Sequence, residues 1–82
     1  MESIAERVIR AVGKIAKDHE VTLESTFEEL ALDSLAIIET VFEIEEEFDI
    51  RIPDGDAKSI RCVRDVVDGV ERLVAGKGGT DS

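Results

Sequence analysis

The feature that most constrains the fold of this chain is the stretch Ser34–Phe48, fifteen residues that contain neither glycine nor proline. Asp33 precedes it, and a carboxylate at that position accepts hydrogen bonds from the free N–H groups of a first helical turn. The apolar positions of the stretch form a face wider than one stripe, which is typical of a helix that packs against several others. We therefore predict a central helix, helix two, over 34–48.

Helical patterns also mark the two ends of the chain. Ser3–Glu6 has the pattern of a capping box, in which a serine and a glutamate three residues later each satisfy a backbone N–H at a helix start. Apolar residues then recur with a 3.6-residue period up to about Ala16, which predicts helix one. A run of valines at helical spacing predicts a last helix over about 62–75, despite the helix-weakening Gly69.

A long connection separates helix one from helix two. Residues 18–33 show no long helical period and contain threonine and serine, which predicts a loop with one short turn at Thr26–Glu29. A loop of this length is uncommon in so small a domain and is often functional. We expect three apolar side chains to hold it against the core: Phe27, Leu30 and Leu32.

The connection between helix two and the last helix is shorter. Residues 50–53 are expected to be extended, because the residue before a proline is forced out of the helical region. Asp54–Asp56 has the composition of a turn, and a short helical turn is predicted over 57–60. Eighty-two residues are enough for one domain, predicted over 1–76, followed by a flexible glycine-rich tail over 77–82.

Charge is distributed unevenly along the chain. It has 20 acidic and 10 basic residues and a net charge of -10, which argues against nucleic acid or an anionic membrane as a partner. Between Asp18 and Ile50 there are twelve acids and no base. Glu45–Glu47 and Asp49 end helix two, where the helix dipole already places negative charge and each acid costs about 0.3–1 kcal/mol. Because these acids destabilise the helix, their presence is better explained by binding than by folding. They predict a docking surface for a basic protein partner.

The single cysteine and the single histidine limit redox and metal chemistry. Cys62 cannot form an intramolecular disulfide, and its small side chain is expected to be buried rather than reactive. His19 cannot build a zinc site with Cys62 alone and is expected to be solvated. The N-terminus lacks the pattern of a signal peptide, and no apolar run is long enough to span a membrane. We therefore expect a soluble, cytoplasmic protein.

Ser34 lacks the surroundings of a hydrolase nucleophile. A Gly-x-Ser-x-Gly elbow would place glycines where Leu32 and Ala36 stand, and the only imidazole lies in the predicted loop. The acid-rich segment after helix two also fails the pattern of a calcium-binding loop, because Arg51 or Lys58 would occupy a ligand position. We expect neither enzyme activity nor a metal site.

Five segments of the chain resemble an acyl carrier protein. The resemblance covers most of the chain and is strongest over these segments, which occur in the order and spacing of that family: Phe27–Leu30, Asp33–Leu35, Glu45–Asp49, Ile52–Asp54 and Ile60–Val63. The resemblance implies an all-α four-helix bundle with a short third helix and a long loop between helices one and two.

The resemblance also implies a covalent cofactor. In the family, the serine that corresponds to Ser34 carries 4'-phosphopantetheine, taken from coenzyme A, through a phosphodiester, and the thiol of this arm holds acyl groups as thioesters. The positive end of a helix dipole favours an anion at this place. Asp33, Leu35, Glu39 and Glu46 are then expected to dock partners with basic patches, which are a phosphopantetheinyl transferase and the enzymes that load and transfer acyl groups. The carrier is expected to be a monomer.

Some positions depart from the pattern of carriers that serve housekeeping fatty-acid synthesis. Gly-Ala usually precedes the aspartate and an acid usually follows the leucine, whereas this chain has Ala31-Leu32 and Ala36 there. Arg61-Cys62 replaces a threonine-rich cap of the last helix, which removes a hydroxyl cap worth about 1 kcal/mol. These departures favour a specialised carrier.

Two functions follow from the sequence. The first is a carrier that shuttles acyl intermediates in fatty-acid biosynthesis or in a specialised lipid or polyketide pathway. The small side chains of helices one, two and the last are then expected to admit an acyl chain between them. The alternative is an acidic helical adaptor that docks a basic protein without a prosthetic group.

Overall fold

The computed structural model of the protein describes residues 2–79, with side chains over 2–76. The described residues form no strand, only an isolated antiparallel bridge between Thr26 and Cys62. The all-α class, the short third helix and the long loop between helices one and two are confirmed. Four α-helices follow one another along the chain: α1 (Ile4–Ile15), α2 (Ser34–Phe48), α3 (Asp54–Ser59) and α4 (Val63–Gly79).

Side chains cap the first two helices as the sequence predicts. Ser3 Oγ accepts a hydrogen bond from the Glu6 N–H, and the Glu6 carboxylate accepts one from the Ser3 N–H at 2.9 Å. The bonds to Ser3 lower the pKa of Glu6 below its usual 4.5. At the start of α2, Asp33 Oδ1 accepts from the Ala36 N–H at 2.8 Å. Because these signals are local, both starting points can be predicted from sequence.

The predicted position of the third helix is wrong by three residues at its start. α3 begins at Asp54, where the sequence favours a turn, and ends at Ser59. Pro53 precedes it with a φ of -62°, an angle that is compatible with helix. Asp54 and Asp56 then place negative charge in the first turn, at the positive end of the helix dipole. The same residues that favour a turn therefore also start this short helix.

The last helix extends beyond its predicted end. α4 continues to Gly79, four residues past the predicted end at 75. The predicted tail over 77–82 therefore overlaps the helix at its first three residues, and residues 80–82 lie outside the described part of the chain. The domain boundary at residue 76 stays a prediction.

The start of α4 is capped by the long loop instead of by a hydroxyl group. The Val63 N–H donates to the Ser25 carbonyl oxygen at 2.9 Å, and the Arg64 N–H donates to the Leu23 carbonyl oxygen at 3.1 Å. These bonds satisfy two of the N–H groups that a helix start leaves without a partner. The loop backbone thus compensates for the missing threonine cap.

The core lies where α1 packs against both α2 and α4. Thr40 is the buried polar side chain among the described residues, and its Oγ1 donates to the Ala36 carbonyl oxygen at 2.8 Å, so it leaves no polar atom unsatisfied. Several aliphatic side chains of the three helices are fully buried: Val8, Val12, Ile44, Val63 and Val70.

The long loop is anchored to this core. Phe27 and Leu30 are buried and Leu32 is partly buried, as predicted. The predicted turn is present, and it starts with a second reciprocal pair in which Thr26 and Glu29 each accept from the other's backbone N–H at 3.0 Å. The loop therefore approaches α2 in a defined conformation.

The remaining side chains of interest lie near the surface. Cys62 is half-buried rather than fully buried, and its thiol is free. His19 is exposed. Within residues 2–79 no group of three or more histidine, cysteine, aspartate or glutamate side chains is placed to hold a metal ion. No helix in that range combines the length and apolar character needed to cross a bilayer.

Candidate functional site

A tight turn delivers the chain to the start of α2. The Ala31 N–H donates to the Glu28 carbonyl oxygen at 3.0 Å, and the Leu32 N–H donates to the Phe27 carbonyl oxygen at 3.1 Å. This pattern ends a helical turn and requires a left-handed residue, which Ala31 supplies with a φ of 58°. A residue with a Cβ pays about 1–2 kcal/mol for this conformation, whereas glycine adopts it easily. Ala31, which stands where the family usually has glycine, therefore leaves the turn intact but strained.

Ser34 is the first residue of α2, and its side chain is exposed. Its hydroxyl group makes no hydrogen bond within the described part of the chain. The Asp33 carboxylate already accepts a hydrogen bond from the N–H of the third helical residue, Ala36. The backbone carbonyl oxygen of Asp33 accepts one from the Ile37 N–H at 2.9 Å. The N–H groups of Ser34 and Leu35 have no acceptor within the helix. An anion bonded to Ser34 Oγ would therefore lie beside free donors and the positive end of the helix dipole.

A groove of about 640 Å³ begins at Ser34 and lies between α2 and the segment 52–60. It includes residues as far along α2 as Glu45, so its α2 wall is about 16 Å long. The sequence placed such a space between helices one, two and the last, whereas the structure places it beside α3. The walls are mostly apolar: Ile37, Ile38, Val41 and Phe42 from α2, and Ile52, Ala57 and Ile60 from the opposite side.

Three large apolar side chains remain exposed on α2. Leu35 is 64% exposed, Ile38 49% and Phe42 60%. They are separated by three and four residues, which places them along one stripe of the helix. Ile38 and Phe42 also line the groove, so the stripe begins beside Ser34 and borders the groove.

The free acidic face of α2 is smaller than the sequence predicts. The Glu47 carboxylate accepts from Arg7 Nε at 2.9 Å and from Arg10 Nη2 at 3.0 Å, and Lys14 Nζ lies 3.4 Å from Glu43 Oε1. Arg7 Nη2 also donates to the Glu47 carbonyl oxygen at 2.8 Å. This arginine thus supplies the cation that the end of α2 itself lacks. Its side-chain hydrogen bond lowers the pKa of Glu47 below the usual value.

The four residues predicted to dock partners are all exposed. Asp33 and Leu35 lie on either side of Ser34, and Glu39 and Glu46 lie seven residues apart, on one face of α2. Sequence reasoning missed the pairing of Glu43 and Glu47 with α1. The available signal was the spacing of three bases on helix one, which puts them on one stripe: Arg7, Arg10 and Lys14.

Comparison with known proteins shows which family the chain belongs to. Residues 4–70 match the family model described as a phosphopantetheine attachment site. The chain belongs to this family. Its structure is similar to the crystal structure of an acyl carrier protein from Thermotoga maritima, with a TM-score of 0.77, 30% sequence identity, and coverage of 93% of this chain and 96% of that chain. It is also similar to the acetyl actinorhodin acyl carrier protein from Streptomyces coelicolor, with a TM-score of 0.71, 26% identity, and coverage of 89% and 92%.

The family fixes the general chemistry of the chain. Its members are carriers and not catalysts, and they hold 4'-phosphopantetheine covalently. Their role implies interaction with a phosphopantetheinyl transferase and with enzymes that handle acyl groups. The four-helix acyl-carrier fold is confirmed, and the alternative of an adaptor without a prosthetic group is disfavoured. The exposed hydroxyl, the free N–H groups and the adjoining groove fit a phosphodiester-linked arm.

Proposed function

We propose that Ser34 is the residue that carries the arm. The observation that supports this most is the hydrogen bonding of the serine hydroxyl groups within residues 4–70, which match the family model. Ser25 Oγ accepts from the Thr22 N–H at 3.0 Å, and Ser59 Oγ donates to the Asp56 carbonyl oxygen at 2.9 Å. Ser34 Oγ has no such bond in the described part of the chain and lies where a helix start favours an anion.

The proposed function is the transport of acyl groups between enzymes. The arm, when attached, supplies a terminal thiol that holds an acyl group as a thioester. Ser34 anchors this arm at the rigid start of α2, where its exposure leaves it accessible to the transferase. The apolar groove beside it is suited to a hydrocarbon chain, since each CH₂ group removed from water contributes about 0.8 kcal/mol.

The proposed docking surface is the exposed face of α2 next to Ser34. Asp33, Glu39 and Glu46 offer negative charge to basic patches of the transferase and of the acyl-handling enzymes. Leu35 begins the apolar stripe on the same helix. The pairing of Glu43 and Glu47 with α1 supports this assignment, because Glu39 and Glu46 make no such pair within residues 2–79 and remain exposed.

The pathway we propose is a specialised branch of fatty-acid, lipid or polyketide metabolism. Ala36 stands where an acid is usual in housekeeping carriers, and Ile38 and Phe42 are exposed on the same helix. A partner that fits this surface needs an apolar socket as well as basic residues. We further propose that the carrier is a monomer in the cytoplasm. A single cysteine, which can form no intramolecular disulfide, suits that reducing compartment.

Intact mass spectrometry tests the proposal. Wild type, Ser34→Ala and Ser59→Ala are each incubated with coenzyme A and a phosphopantetheinyl transferase. Wild type and Ser59→Ala should gain the mass of one arm, and Ser34→Ala should gain none while keeping its helical circular dichroism spectrum. An arm on the Ser34→Ala variant would refute the assignment.

A further inference from the structure

One cation lines the groove that begins at Ser34. Lys58 is the only basic side chain among the groove residues of the described chain, and it stands there with two acids, Glu45 and Asp54. Its side chain is exposed and takes part in no ion pair or hydrogen bond within residues 2–79. By contrast, the carboxylate of Glu45 already accepts from the Ile52 N–H at 2.7 Å. Lys58 is therefore a positive charge at the groove without a partner in the described chain.

The segment that carries Lys58 runs back along α2. Its first part is held near the end of α2 by the bond between Glu45 and Ile52. Its last part is held by the loop before α2, because the Phe27 N–H donates to the Arg61 carbonyl oxygen at 3.0 Å. The segment 52–61 therefore passes from the end of α2 towards its start.

Lys58 lies in the later part of this segment, three residues before Arg61. It is thus on the side of the groove that is nearer to Ser34, and both residues border the same groove. A lysine side chain is long and flexible, and its ammonium group is a compact point charge. An anion on Ser34 Oγ would follow Asp33 in the chain and share the groove with Asp54. Among the described residues that line this groove, Lys58 is the one cation.

We propose that Lys58 is a positioning residue that binds the phosphodiester of the arm and directs the arm into the groove between α2 and α3. The inference rests on the proposed attachment at Ser34. The phosphodiester is an anion near neutral pH, where a lysine side chain is a cation, so the two attract each other there. Because both groups are exposed, salt screens the contact.

The experiment compares apo and holo forms of wild type, Lys58→Gln, Lys58→Arg and Lys17→Gln. Lys17 is exposed, lies outside the groove and has no partner in the described chain, so its replacement is a control for the loss of one positive charge. Two readouts are independent of carrier activity: the difference in Tm between holo and apo forms, and the ³¹P resonance of the holo form.

We expect Lys58→Gln to lower the holo-minus-apo difference in Tm by about 1–8 °C, the range for one exposed ion pair in a domain of this size. Lys58→Arg and Lys17→Gln should keep the wild-type difference. The ³¹P resonance should move in Lys58→Gln and stay in place in Lys17→Gln. In wild type, raising the salt concentration should reduce the difference in Tm towards that of Lys58→Gln.

Three results overturn the inference. If holo Lys58→Gln forms and matches wild type in both readouts, Lys58 does not contact the phosphodiester, and attachment at Ser34 is unaffected. If Lys58→Gln and Lys17→Gln change both readouts equally, the effect is one of overall charge and the contact is again refuted. Failure of wild type to gain the arm at all, seen by mass, refutes the attachment itself and this inference with it.

Discussion

Two phenylalanines on α2 provide a direct test of the groove. Phe42 is 60% exposed and borders the groove, whereas Phe48, six residues later on the same helix, is 8% exposed and lies in the core. We predict that Phe42→Ala leaves the apo protein folded but weakens the stabilisation that an acyl chain provides. Phe48→Ala should instead destabilise every form of the protein.

The expected magnitudes follow from the two degrees of burial. Full burial of a phenylalanine side chain contributes about 1.5–3 kcal/mol, so the roughly two-fifths of Phe42 that is buried contributes about 0.6–1.2 kcal/mol. Alanine recovers about 0.5 kcal/mol through its helix propensity. The net loss for Phe42→Ala is therefore below about 1 kcal/mol. Phe48→Ala should cost about 3–5 kcal/mol, a large part of the roughly 4–12 kcal/mol expected for 82 residues.

Thermal unfolding followed by circular dichroism measures both effects. One kcal/mol corresponds to about 4–8 °C in a domain of this size, so Phe42→Ala should lower the apo Tm by less than about 8 °C and Phe48→Ala by more than about 12 °C. In wild type, Tm should rise with acyl chain length until the groove is filled. Phe42→Ala should reduce the rise per CH₂ group.

Any of three outcomes would refute the reasoning. Equal losses of apo Tm in the two variants would mean that Phe42 is a core residue. An unchanged rise with chain length in Phe42→Ala would mean that the acyl chain does not lie against Phe42, and equal Tm values for all chain lengths in wild type would mean that the cargo stays in solvent.

Three further predictions concern the surroundings of the site. Arg7→Gln should lower Tm near neutral pH. Because the bond to Arg7 lowers the pKa of Glu47, the contribution of this ion pair is present above the usual value of 4.5 and is lost as the pH falls through the lowered pKa. The difference in Tm between the two proteins should therefore narrow in acid, and a difference that stays constant would contradict the role of the carboxylate. Ala31→Gly should raise the free energy of unfolding in urea by about 0.5–1 kcal/mol because it relieves the left-handed alanine, and a loss of stability would show that the strain is absent. Glu39→Lys and Glu46→Lys should slow association with a loading enzyme in stopped-flow measurements, and the wild-type association rate should fall as salt is added. An association rate that changes with neither the substitutions nor the salt would show that charge does not direct docking.

The sequence was sufficient for α2 because its signals are local. Asp33 caps the helix through a contact three residues away, and no glycine or proline interrupts the fifteen residues of the helix. The reciprocal pairs that start α1 and the turn in the loop are local in the same sense. For this reason the position of Ser34 at a helix start could be predicted without any tertiary contact.

Features that depend on tertiary contacts could not be predicted in this way. The partner of Glu47 is Arg7, forty residues away, and only the packing of α1 against α2 brings the two together. The cap of α4 likewise comes from loop carbonyls that are distant in sequence. At α3 the difficulty was different, since aspartate and glycine suit a turn and a first helical turn alike, and the sequence alone does not choose between them.

The position of the groove illustrates the same limit. Val, Ile and Leu at helical spacing indicated loosely packed helices, but they did not show which pair of elements would leave a space. The structure places it between α2 and the segment 52–60. Hydrogen bonds hold this part of the chain to Glu45 of α2 at one end and to Phe27 of the long loop at the other. The place of Lys58 in the groove could therefore not be predicted from the sequence.

The most direct test of the central claim is to locate the arm on the chain. The holo protein is digested, and tandem mass spectrometry of the peptide that contains Ser34 identifies the modified residue. The account predicts one arm per chain, bonded to Ser34 and able to carry an acyl group that hydroxylamine releases. An arm on any other residue, or a Ser34 that stays unmodified in protein treated with an active transferase and coenzyme A, would contradict it.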